Sequence, residues 1–425
     1  MREAGVRILS GVTLSLAIAG CGGGGAGGGG GGGATPPTPT TIAFTFTGGT
    51  PTAAAVQTGT SSFAASAVQS GKVSFALPSG TTKFAIAYAC PPVPGFGNTV
   101  TSEHVIEATT SDGKAFTVSC GGYPATGTAT GSANATAIAG SANVYIRGKL
   151  GFGGAVGSNN GPFSVSLPAG TNDVAAFAVD SASPPNVLAV KILRGQTVPG
   201  AVNGGSAITL AASDAVKTES LSVTNVPAGF VSPPAVAVEY VTAGGTSLLL
   251  DSTSATQYPA VPSTAAQSGD YYIYQANTDD TATHSSAVGI TQTTTSGGGA
   301  ATIALPAKWS YAGPTAAVYP TFTFAYTGFA SLPAVAQQGE IEWAPTATTL
   351  TTITAIATAS YQAGATTIAI PNLSSIAGFS HAAAAGATIY WVADVFGGTT
   401  QDFVSPMPPN ASLGFVQNEG NYTQP

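Results

Sequence analysis

Apolar side chains recur at every second position in short runs along this chain. In Phe84-Ala85-Ile86-Ala87-Tyr88-Ala89-Cys90, alternation puts Phe84, Ile86, Tyr88 and Cys90 on one face. In Phe116-Thr117-Val118-Ser119-Cys120, Phe116, Val118 and Cys120 share a face. Val236, Val238 and Tyr240 do the same within 235–241. Period-two runs bounded by glycine, proline and small polar residues predict β-strands with a buried side. With 56 Gly and 29 Pro, long helices are not expected. One stretch, Ser375 to Ala385, ends in an alanine run of high helix propensity, and a short helix is left open there.

The runs repeat. Residues 71–90, GKVSFALPSGTTKFAIAYAC, lie over 161–180, GPFSVSLPAGTNDVAAFAVD, without a gap and match at seven of twenty positions. The spacing is ninety residues, the size of one β-sandwich. Each copy reads as strand, Leu-Pro-small-Gly turn, strand. Proline presets the turn and glycine supplies positive φ. A second block repeats as SDGKAFTVSC (111–120), GGSAITLAA (204–212) and SGGGAATIAL (296–305). In these alignments Cys120 matches Ala212 and Leu305, and Cys90 matches Asp180. Two later units are more diverged. One runs from Leu221-Ser222-Val223 to Tyr271-Tyr272-Ile273-Tyr274. The other opens on Phe322-Thr323-Phe324, echoing Phe44-Thr45-Phe46, and closes on 388–396.

The pattern predicts an all-β chain of tandem β-sandwiches, immunoglobulin-like or transthyretin-like, following a disordered Gly/Pro-rich tether. Four units are expected at 42–121, 122–215, 216–310 and 311–425, the last with a C-terminal tail. Cys90 and Cys120 point into one apolar layer, so a Cys90–Cys120 disulfide is expected in an oxidising compartment. Only the first unit carries it, as a staple for one domain would be.

Charge narrows the function classes. Charged residues make up 7% of the chain, against about 25% in ordinary soluble domains. The surface must be built from Thr, Ser, Asn, Gln and Gly. Arg2, Arg7 and Glu3 leave with residues 1–20, which takes the formal charge from −7 to −8. That acidity argues against nucleic acid and against electrostatic docking to anionic lipid.

The N-terminus has a different character. Arg2 and Arg7 precede the apolar stretch 12–18, which is too short to span a bilayer. It ends in Ile18-Ala19-Gly20-Cys21. This resembles the lipobox of bacterial lipoprotein signal peptides: a branched apolar residue, two small residues and a cysteine. The resemblance implies removal of residues 1–20 and acylation of Cys21, with a membrane as partner through its acyl chains. Two or three chains would anchor stably where one holds only marginally. Gly22 in place of Asp implies the outer membrane, at its periplasmic face or the cell surface. The alternative is an ordinary signal peptide that leaves Cys21 as a spare thiol. Residues 21–41 read as a linker: glycine-rich and flexible to Gly33, then stiffened by Pro36, Pro37 and Pro39.

Candidate chemistry is sparse. Only His104, His284 and His381 exist, and a strand sets His104 opposite Glu103 and Glu107, a spacing that suits no zinc site. Asp279-Asp280 before His284 reads as a solvated turn more than a calcium loop. Glu340 and Glu342 share a strand face beside Trp343, which fits paired carboxylates or an exposed sheet edge. No nucleophile elbow, phosphate loop, metal set or cofactor motif stands out. Large rings gather in the last third, at Tyr271, Tyr272, Tyr274, Trp309, Tyr311, Trp343, Tyr390 and Trp391. Of these, Tyr272, Tyr274, Trp309, Trp343 and Trp391 are the candidate ligand-binding aromatics. Exposed, they would suit sugar rings or a partner protein; otherwise they form core. The expected function is a non-enzymatic, lipid-anchored envelope protein for display, adhesion or scaffolding. The alternatives are a carbohydrate-binding lipoprotein and, behind that, a hydrolase.

Overall fold

Alternating runs become strands from Thr40 onward, in a computed structural model that describes residues 39–94, 98–121, 125–251, 256–293, 298–329, 332–380, 382–398 and 411–425. Cys21 and most of the linker lie outside the described residues, as does His381. The fold is all-β, and its strands fall into four groups. The first holds β1 (Thr40–Thr47), β2 (Ala53–Thr58), β3 (Ala64–Ala65), β4 (Lys72–Leu77), β5 (Lys83–Ala89), β6 (Val93–Pro94), β7 (Thr99–Thr109) and β8 (Ala115–Ser119). The second holds β9 (Thr126–Asn134), β10 (Asn143–Arg147), β11 (Gly153–Ala155), β12 (Asn160–Pro168), β13 (Gly170–Val179), β14 (Val187–Val198), β15 (Gly200–Ala201) and β16 (Ile208–Thr209). The third holds β17 (Lys217–Thr224), β18 (Ala235–Val241), β19 (Ser247–Asp251), β20 (Gln257–Ala260), β21 (Tyr271–Asp280), β22 (Ser285–Thr293) and β23 (Ala301–Ala304). The fourth holds β24 (Thr321–Thr323), β25 (Ala334–Thr346), β26 (Thr349–Thr358), α1 (Ala359–Gln362), β27 (Thr367–Ala369), β28 (Thr388–Gly398) and β29 (Ser412–Thr423).

One wiring recurs in all four groups. The opening strand pairs antiparallel with β4, β12, β20 or β27 in a small covering sheet. A four-stranded sheet lies opposite, ordered β3-β2-β5-β7, β11-β10-β13-β14, β19-β18-β21-β22 and β26-β25-β28-β29. The Leu-Pro-small-Gly turn therefore carries the chain from one sheet to the facing sheet, β4 to β5 and β12 to β13. It is a corner between the two sheets. The second repeated block supplies a closing strand parallel to the opening one, in β8, β16 and β23. In the fourth group, among the described residues, β24 pairs with β27 alone. Tyr311 accepts the Thr323 N–H at 3.2 Å, on the side of β24 turned away from β27, and Trp309 stacks on Phe324.

The sandwiches are fused more closely than a string of independent units. The four-stranded sheets of groups three, four and one join edge to edge in one thirteen-stranded sheet. β22 pairs antiparallel with β29, from Ser285↔Asn418 to Thr291↔Ser412. β26 pairs parallel with β7, from Thr349↔Thr99 to Ala357↔Glu107. An antiparallel seam keeps neighbouring covers on one face, whereas this parallel seam turns group one over. Phe84, Ile86, Tyr88 and Ile106 accordingly face the cover of group one. Ala87, Ala89 and Val105, one residue out of phase, face Phe322, Ile368 and Phe379 of group four. Strand β5 is therefore buried on both sides, which its alternation of large residues with alanine fits.

The expected disulfide is present. Cys90 and Cys120 are bonded with their Cα atoms 5.2 Å apart, linking the end of β5 to the end of β8 across the first core. The helix left open at 375–385 does not form; the described part of that stretch is turns. Among the described residues, the one α-helical turn is at 359–362, where Thr358 accepts the Tyr361 N–H at 3.2 Å. Among the described residues, no helix is long and apolar enough to cross a membrane.

Candidate functional site: a cleft between the second and third sandwiches

The second sandwich turns the outer face of its four-stranded sheet toward the side of the third. In β10, Val144 and Ile146 point into the second core, so alternation sends Tyr145 and Arg147 outward. In β13, Ala176 and Ala178 point inward and Phe177 and Val179 outward. Tyr145 and Phe177 are register partners, and their rings stack at 5.5 Å between centroids. The Arg147 guanidinium lies 5.3 Å from the Tyr145 centroid and 6.0 Å from that of Phe177. These residues form one wall of a cleft of about 700 Å³, and Leu249, Asp251, Gln257, Tyr258 and Pro259 line it from the third sandwich.

The loop after β13 adds Pro184, Pro185 and Asn186. Asp180 staples that loop: it accepts from the Asn186 amide at 2.7 Å and from the backbone N–H groups of Asn186 and Ala182. The Asn186 side chain leads these bonds in holding the Asp180 carboxyl below its ordinary value. In the repeat, Asp180 stands where the first sandwich has Cys90. A polar staple thus occupies the position of a covalent one.

The joint between the two sandwiches combines buried apolar contact, through Ala175, Phe177, Val179, Val187 and Val190, with an ionic cluster. Arg194 on β14 donates to Asp173 at 3.0 Å and to Asp270 at 2.6 Å. Asp270 also accepts from the Tyr240 hydroxyl at 2.5 Å and from the N–H groups of Ala243 and Gln267. Burial alone would raise its carboxyl; Arg194, Tyr240 and the two backbone groups together hold it below its ordinary value. Thr246 of the third sandwich donates to the backbone carbonyl of Asp173. At Arg147, by contrast, burial pulls the guanidinium below its ordinary value, and Tyr145 only partly opposes this.

The five aromatics expected to meet a ligand are elsewhere and inward. Tyr272, Tyr274, Trp309, Trp343 and Trp391 are between 0 and 6% exposed. Tyr272 accepts the Val261 N–H at 2.9 Å, and the Tyr258 and Tyr274 hydroxyls bond each other at 2.8 Å. Each phenol thus finds a buried partner, which lets the ring enter the core. Trp391 lies on Gly313 and Gly420, where a Cβ would come within 2.6 Å of its indole. Carbohydrate binding through these five is corrected to core packing.

The remaining candidates also resolve. Glu340 and Glu342 sit on β25, a central strand between β26 and β28 rather than a sheet edge, and Trp343 points to the opposite face. Thr354 donates to Glu340 at 3.0 Å. His104 stacks on Tyr88 at 5.0 Å, on the opposite face from Glu103, which accepts the Ser380 N–H. Asp280 accepts from Lys308 at 2.5 Å and from Ala282 and Thr283 in the β21–β22 turn, as a solvated turn would. Among the described residues, no group of three or more His, Cys, Asp or Glu is placed to hold a metal ion.

Sequence reading missed Tyr145, Arg147 and Phe177. A signal was available in the repeat, where Phe177 stands against Ala87. The outer face at Ala87 is covered by the fourth sandwich, and Phe177, 6% exposed, packs against the third sandwich at the edge of the cleft. A search against protein-family models and against curated protein sequences finds no match to this chain.

Proposed function

We propose that this chain is a lipid-anchored bacterial envelope protein: a stiff body of fused β-sandwiches carried on Cys21 by the 21–41 tether, serving adhesion, display or scaffolding. The observation that carries the reading is the continuous thirteen-stranded sheet joining groups three, four and one. Pairing along β22–β29 and β26–β7 resists flexing between those sandwiches, as a presenting scaffold requires. Asp112 ties the parallel seam further, accepting from Thr358 at 2.8 Å and from Ser360. Four acidic side chains are committed to structure: Asp173 and Asp270 to Arg194, Asp180 to Asn186, Asp280 to Lys308. The outer membrane is the location that Gly22 favours. A role in binding rather than turnover fits an aromatic cleft with a single arginine.

Metabolic labelling with an alkyne fatty acid tests the anchor. Label should appear in the protein, and Cys21→Ser should abolish it and shift the protein from the membrane to the soluble fraction. Unlabelled protein, or label that survives Cys21→Ser, rejects the reading. Protease added to intact cells then separates surface display from a periplasmic position.

A further inference from the structure

We propose that the cleft between the second and third sandwiches binds an acidic saccharide, with Arg147 engaging a sugar carboxylate and Tyr145, Pro184 and Pro185 beside it packing on the sugar's apolar face. Arg147 is one of only eleven Lys and Arg in the whole sequence. It is half-buried, and among the described residues no ion pair engages it. Its contacts are the two stacked rings and a long 3.4 Å bond to the neighbouring carbonyl of Ile146. A guanidinium in this position keeps its planar fork available for a carboxylate.

The lining selects among anions. Among the described residues, Arg147 is the only cationic one lining the cleft, which suits one carboxylate better than a polyphosphate. Tyr145, Pro184 and Pro185 give flat apolar surface, and the exposed Gln257 and Thr218 offer groups that can bond hydroxyls. Asp251 lines the cleft too, so the ligand's charge must lie on the Arg147 side. An extended acidic peptide is disfavoured because the bordering edge strand, β20, carries Pro259, which has no N–H to offer a ladder. The volume falls within the range of small-ligand sites.

Calorimetric titration of the purified protein tests this, with trigalacturonate as probe, maltotriose as neutral comparator and a triglutamate peptide as a charge-matched one. Trigalacturonate should bind at least tenfold more tightly than either comparator and weaken as salt is raised. Arg147→Ala should cost at least tenfold, and Arg147→Lys should restore part of it. Leu249 is 53% exposed at the cleft, so Leu249→Glu should fold normally and, by repulsion, weaken binding as well. This variant carries the test if Arg147→Ala does not fold. No binding of trigalacturonate overturns the proposal, as does equal binding of either comparator or unchanged affinity in the folded variants. Binding is read on purified protein and anchoring in cells, so either result can fail alone.

Discussion

Arg194 of the second sandwich donates to Asp270 of the third at 2.6 Å, and Asp270 is the more deeply buried partner. Removing that carboxylate strands three donors besides the arginine: the Tyr240 hydroxyl and the N–H groups of Ala243 and Gln267. Breaking one side of a buried pair typically costs about 3–5 kcal/mol, because the surviving groups lose solvation without compensation. Asp270→Ala should therefore destabilise the joint by roughly that amount, read as an earlier urea transition of the full chain. Because the folded carboxyl lies below its ordinary value of 3.8, its contribution is full above that pH and is lost as pH falls further. A midpoint unchanged in Asp270→Ala would mean that the joint is held by apolar packing alone.

The Cys90–Cys120 bond closes a loop with a sequence separation of 30 across the first core. For a loop of that size the chain-entropy account gives about 3–4 kcal/mol, acting through the unfolded state. Replacing both cysteines by alanine should lower stability by that order without changing the folded β-sheet signal. Working in a Cys21→Ser background removes the third thiol from the comparison. The loss should be largest for the first sandwich, which hydrogen exchange can localise to β5 and β8. Uniform loss of protection across all four sandwiches would refute a local staple.

The strands, the repeat and the disulfide were legible because each rests on side-chain alternation or on local turn chemistry. Phe84, Ile86, Tyr88 and Cys90 announce a buried face wherever the strand is placed. The seams between sandwiches are different. Pairing of β26 with β7 joins residues about 250 positions apart through backbone groups, which every residue type carries. The alanines at 85, 87 and 89 were the one trace of the second cover, and small residues read as weakly as surface as they do as core. The cleft was hidden for a related reason. Tyr145 and Arg147 look like an ordinary solvent face until another sandwich is set beside them. The aromatic cluster of the last third was visible, but alternation gives a direction and not what lies there.

Trp391 offers a direct check on that correction. Its indole packs where Gly313 and Gly420 leave no room for a Cβ. Trp391→Ala should cost about 3–5 kcal/mol as a large core truncation. Gly420→Ala should cost about 1–3 kcal/mol by overpacking the same site. Both should show as shifted denaturation midpoints, while trigalacturonate affinity at 25 °C stays unchanged in any folded variant. Weakened saccharide binding by folded Trp391→Ala would return the C-terminal rings to the ligand site.

His104 and Glu107 lie on opposite faces of β7 and should tilt stability in opposite directions with pH. Against Tyr88, burial lowers His104 from 6.5 to about 4. On the other face, burial raises Glu107 from 4.5 to about 7, with Lys83 opposing part of the shift. For His104, the unfolded chain takes up a proton that the native state refuses between pH 6.5 and 4. Its contribution is full above 6.5 and falls as the solution is acidified through that window. For Glu107, the native carboxyl keeps a proton that the unfolded chain releases between 4.5 and 7. Its contribution is full below 4.5 and is lost as pH rises through 7. Between 4.5 and 6.5 the two slopes oppose, so together they add little tilt to the wild-type profile. Relative to wild type, His104→Gln should expose the Glu107 slope, with stability declining from pH 4.5 to 7. Glu107→Gln should expose the reverse, with stability declining from 6.5 toward 4. Urea midpoints taken every half unit of pH would show the two difference profiles crossing. Difference profiles of the same sign would mean that at least one group is solvated in the native state.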